Sequence, residues 1–108
     1  MKTDYRFGEV KELASQVNQE NEHVSFRNIF ETDNGGVSLL AFKAGQELTE
    51  HVSPMVVMVN VLEGEVQFNM NGSPNLIGKG VFFLMGDEVP HSVVAKKESK
   101  VLLIKVKP

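Results

Sequence analysis

Met55-Val56-Val57-Met58-Val59-Asn60-Val61-Leu62-Glu63-Gly64-Glu65-Val66-Gln67-Phe68-Asn69-Met70-Asn71-Gly72 is the stretch that decides the fold. From Glu65 to Met70, the apolar Val66, Phe68 and Met70 alternate with Glu65, Gln67 and Asn69. A period of two places successive side chains on opposite faces of a strand. Asn71-Gly72 supplies the positive-φ pair that a tight hairpin turn needs. Upstream, Met55 to Leu62 is β-rich and apolar on both faces, which predicts a strand buried on both sides. Gly64 turns the chain between the two runs.

The same reading extends outward. Val24, Phe26 and Asn28 alternate with Ser25, Arg27 and Ile29, and Asp33-Asn34-Gly35-Gly36 is rich in turn formers. Val37 to Phe42 is a further strand, broken by Ala44-Gly45-Gln46. Ile77, Gly78 and Gly80 lead into Val81 to Met85; Ser92 to Val94 and Val101 to Val106 close the series. Short strands with turn signals every eight to twelve residues predict an antiparallel sandwich or barrel. Only the first segment reads differently. Val10, Leu13, Ala14 and Val17 follow helical spacing between Phe7 and Asn18, so a short N-terminal α-helix is expected there. The polar run Asn18 to Glu22 ends it. Residues 1–23 are thus expected to form a helix and connector, and 24–108 a barrel, in one domain.

Composition narrows the function classes. The chain has 108 residues, 42% hydrophobic and 23% charged, with a net charge of −3. No basic stripe interleaved with aromatics invites nucleic acid. The lysines at 96, 97, 100, 105 and 107 read as solvated edge charge that discourages aggregation. With no cysteine, thiolate nucleophiles, disulfides and cysteine metal sites are excluded. Met1 to Phe7 lacks an apolar signal-peptide core and no apolar run is long enough to span a bilayer, so the expected setting is cytoplasmic, away from membranes. There is no phosphate loop, nucleophile elbow or His-Glu-x-x-His motif.

Two phrases carry a resemblance. The first runs from Gly45 through His51 to Val61-Leu62-Glu63-Gly64-Glu65; the second runs from Gly80 through Gly86-Asp87-Glu88 to Val89-Pro90-His91. Together they resemble the two conserved motifs of the small single-domain cupins, over roughly residues 37–106. The resemblance implies a double-stranded β-helix (a jelly-roll barrel) and, as is common among such proteins, a homodimer. It also implies that His51 and His91 point into one pocket. A metal-binding cupin would place a second histidine where this chain has Ser53 and a glutamate where it has Val57. The asparagine that ends the second motif falls on Ala95.

The metal question follows from those replacements. Three histidines and one carboxylate would hold Zn, Ni, Mn or Fe and leave positions open for substrate. Ser53 is a poor donor and Val57 is none. A third ligand would have to come from Gln46, Glu47 or Glu50. In a regular strand residues 47, 49, 51 and 53 share one face, which favours Glu47. Against that stand solvated strand-end carboxylates and histidines that merely bond a nearby backbone carbonyl.

The pocket is expected around His51, Ser53, Val57, Met70, Met85 and His91. Methionines adapt to irregular apolar ligands, though they are more often core. His23 reads as a surface residue, and Asp87 and Glu88 as exposed loop acids. Three functions remain open. The first is a barrel binding a small molecule with weak or no metal. The second is a metal-dependent oxygenase or isomerase using His51 and His91. The third is a non-catalytic dimeric scaffold or regulatory protein.

Overall fold

The computed structural model describes residues 1–20 and 22–108. Asn21, within the polar run expected to end the first segment, lies outside the described residues. Among the described residues nine strands follow one another: β1 (Ser25–Thr32), β2 (Gly35–Phe42), β3 (Glu47–His51), β4 (Val56–Glu63), β5 (Glu65–Met70), β6 (Ser73–Gly78), β7 (Phe82–Met85), β8 (His91–Ala95) and β9 (Ser99–Val106). They form two sheets, ordered β1-β2-β9-β4-β7 and β3-β8-β5-β6. Every pairing is antiparallel. The chain crosses repeatedly between the sheets, which makes the fold a double-stranded β-helix, the antiparallel barrel that the strand spacing allows and the resemblance implies.

The core fills the space between the sheets. From one side come Leu40 and Phe42 of β2, Val57, Val59 and Val61 of β4, and Val101 of β9. Val66 and Phe68 of β5 and Val93 and Ala95 of β8 meet them from the other. Each strand contributes every second residue, as the pleat requires. β4 is therefore not buried equally on its two faces. Val57, Val59 and Val61 are buried, whereas Val56, Met58, Asn60 and Leu62 are half-buried. Leu62 packs beside Val17, Leu39 and Ala41 in a second cluster on the outer face of the sheet.

Gly64 makes the reversal between β4 and β5 with φ +83°. A side chain there would collide with the Glu98 carbonyl and the Ser99 hydroxyl. Ser99 is fully buried and closes this corner. Its Oγ accepts from the Glu65 amide at 3.0 Å and lies 2.7 Å from the Lys97 carbonyl, to which it donates.

The N-terminal segment corrects one expectation. No α-helix forms between Phe7 and Asn18; a single 3-10 turn, Ala14–Gln16, stands in its place. Helical spacing was present, but a helix of about a dozen residues is marginal unless its apolar stripe is buried. Here Val17 alone of the stripe is buried, and Val10 is 99% exposed. The backbone groups have also found other partners. The Ala14 carbonyl, which a helix would pair with the Asn18 amide, accepts from Lys100 Nζ at 2.6 Å. Further upstream, Lys2 and Glu31 exchange two backbone hydrogen bonds of 2.8 and 2.9 Å, and Thr3 Oγ1 donates to the Ile29 carbonyl. The segment is strapped across the sheet by these bonds.

The lysines divide as well. Lys96 and Lys97 are exposed, but Lys100 and Lys105 lie on β9, a central strand of the larger sheet, and are half-buried. For these two the edge-charge reading does not hold, because β9 is paired on both sides.

Candidate functional site

His51 ends β3 and His91 begins β8, and the two residues are register partners. Their ring centroids are 4.2 Å apart with planes at 61°. His91 is only 5% exposed, whereas His51 faces solvent at the rim. The two rings are held in the same way. Nδ1 of His51 is 2.8 Å from the Thr49 carbonyl, and Nδ1 of His91 is 2.9 Å from the Val89 carbonyl. A carbonyl only accepts, so each Nδ1 carries the proton. In the neutral ring each Nε2 then keeps a free lone pair. Each ring thus bonds a backbone carbonyl through Nδ1.

The rings open onto a cavity of about 420 Å³ between the sheets. Ser53 and Pro54, in the loop between β3 and β4, form its rim with Val52. Val57 and Met85 form part of the floor. Phe26, Leu40, Leu48 and Leu103 complete an apolar wall, and Lys105 reaches the cavity from β9. The Ser53 carbonyl accepts from the Glu88 amide at 2.7 Å, tying the loop before β8 to the rim. Asp87 and Glu88 are themselves exposed, as is His23.

Of the expected pocket residues, His51, Ser53, Val57, Met85 and His91 line this cavity; Met70 does not. His51, His91 and Met70 form one row across β3, β8 and β5, so Met70 sits one strand beyond the rings and packs against the core. Lys105 was the residue whose place the sequence reading missed. Its signal was parity: Val101, Leu103 and Lys105 share one face of a strand.

Glu47 and Glu50 are not brought to the histidines. Glu47 pairs with Val94 and is exposed; Glu50 is exposed and lines no part of the cavity. The expected alternation of 47, 49 and 51 fails because the β3–β8 register shifts between Leu48 and His51. Such an irregularity reverses which face the following residues take. Among the described residues no group of three or more histidines or carboxylates converges. For the metal that the resemblance implies, the donor set is therefore short. Two neutral nitrogens and no carboxylate do not make the shell that holds a resident divalent ion.

The comparisons with known proteins agree with this architecture. No family model matches the chain, and no curated protein matches it. Solved structures do. A cupin 2 conserved barrel domain protein from Leptotrichia buccalis is 31% identical with a TM-score of 0.83; the match covers 88% of this chain and 46% of that one. An RmlC-like cupin from Desulfovibrio desulfuricans is 26% identical over 100% of this chain and 98% of its own, with a TM-score of 0.75. A conserved Streptococcus pyogenes protein of unknown function is 24% identical, covers 100% and 96%, and reaches a TM-score of 0.90. Fold and site define the class: a jelly-roll barrel with a pocket between its sheets. This chain has the barrel fold of the small cupins to which it is similar.

Proposed function

We propose that this protein binds a small organic molecule in the cavity between its sheets, without depending on a tightly held metal. The observation that carries the reading is the cavity itself. It has the size and apolar lining of ligand sites, which span about 300–1,000 Å³, and few polar groups to fix orientation. His51 and His91 supply two of these groups, each preset by its backbone hydrogen bond. Rigid polar groups on strands discriminate ligands at little cost in ordering. The competing reading, a metal-dependent oxygenase or isomerase, is favoured by the paired Nε2 lone pairs and opposed by the donor count.

A fragment screen by NMR, run with and without EDTA, tests this. Shifts should cluster on His51, Ser53, Val57 and His91 and should survive EDTA. Binding only after added metal would favour the enzyme reading, and no binding at all would favour a scaffold.

Association with a second copy of the chain is part of the proposal. Leu84, Met58 and Ile104 form a row on the outer face of β7, β4 and β9, flanked by Phe82 and Val106. Leu84 is 60% and Phe82 58% exposed. The row Leu84, Met58 and Ile104 with Phe82 and Val106 is apolar, with Asn60 beside Phe82, and such a patch can meet its own copy about a two-fold axis. A cysteine-free chain also suits a reducing, cytoplasmic setting.

A further inference from the structure

We infer that the ligand is an apolar monocarboxylate, seated with its carboxylate at Lys105 and Ser38. The inference rests on reading the cavity as a binding site and names the chemistry that fills it. Lys105 lies on the inward face of β9, half-buried, and lines both the main cavity and the recess that adjoins it. The main cavity is lined by no aspartate or glutamate. Among the described residues the ion pairs are Arg6–Glu9 and Lys11–Glu9, so Lys105 has no carboxylate partner. Glu31 shares the recess, but its Oε2 accepts from Asn28 Nδ2 at 3.1 Å and makes no ion pair with Lys105.

Ser38 is the second, independent observation. It is 2% exposed and lines the same recess, and its Oγ has no hydrogen-bond partner among the described residues. A buried hydroxyl without a partner is costly and uncommon. Ser38 pairs with Leu103 across β2 and β9, and Lys105 pairs with Gly36, so Ser38 and Lys105 are diagonal neighbours on one face. Diagonal neighbours are within reach of a common small group. Gly36, directly opposite Lys105, offers no side chain to cover the ammonium. An ammonium and a hydroxyl, both donors, suit a carboxylate, which only accepts. Leu40, Phe26, Val57 and Leu103 then enclose the apolar body.

Calorimetric or NMR titration with hexanoate, octanoate, decanoate and 3-phenylpropionate, each against its primary amide, tests this. The acids should bind about tenfold or more tighter than their amides. Lys105→Met keeps the apolar stem and should abolish the preference for acid over amide; Lys105→Arg should retain it. Ser38→Ala should weaken acid binding yet raise the melting temperature of the free protein, an opposition that a merely structural serine would not produce. Equal affinity for acid and amide, or a preference that survives Lys105→Met, overturns the carboxylate assignment and leaves the cavity reading standing. Failure of acids and amides alike overturns both.

Discussion

Leu48 and His51 both line the cavity although only Thr49 and Glu50 separate them on one strand. Leu48 pairs with core Val93 and His51 with His91, with the register shift between them. A regular strand would have turned one of the two outward. The shift brings His51 beside His91 and leaves Glu47 in solvent, so this irregularity decides which side chains meet in the cavity.

The replaced motif positions can be restored. Ser53→His with Val57→Glu should create a four-donor shell and tighten Zn or Ni binding by at least about 10-fold over the wild type. Val57→Glu alone buries a carboxylate among apolar neighbours and should cost about 3 kcal/mol without metal. Metal titration by calorimetry and urea unfolding check the two effects. Unchanged metal affinity in the double variant would show that positions 53 and 57 do not converge with the rings.

Gly64 should tolerate no side chain. Its φ of +83° and its contact with the Glu98 carbonyl and Ser99 leave no room for a Cβ. Gly64→Ala should destabilise the protein by about 2–4 kcal/mol, read from the urea midpoint. Gly80→Ala makes the contrast: φ is similar at +82°, but nothing lies within 4 Å of the added Cβ, so the loss should be about 1 kcal/mol.

The strapped N-terminal segment separates from an amphipathic helix by mutation. Val10→Asp should change stability by no more than about 0.5 kcal/mol, because the side chain is already in water. Val17→Ala should cost about 1–2 kcal/mol, because Val17 is buried beside Leu39 and Ala41. Equal losses at both positions, with a helical contribution to the far-UV spectrum, would point back to a helix.

Self-association through the outer face of β4, β7 and β9 predicts a light-scattering mass twice the 12.0 kDa of the chain. Leu84→Glu should halve it, since charges opposed across a two-fold axis repel. Because Leu84 points away from the core, the melting transition of a Leu84→Glu monomer should stay cooperative. A monomeric wild type would remove the proposal.

The sequence by itself determined the strands, because alternation and turn chemistry are local. Val66, Phe68 and Met70 alternate, Asn71-Gly72 turns, and β5 forms where that pattern places it. Motif spacing likewise marked His51 and His91. What tertiary structure alone decided was everything set by register and by competition for partners. A shift within β3 removed Glu47 from the site, and the place of β9 between β2 and β4 made Lys105 a cavity residue. Lys100 took the Ala14 carbonyl that a helix would have used. Local pattern fixes which faces a segment has; only the partners that arrive from distant strands fix what those faces meet.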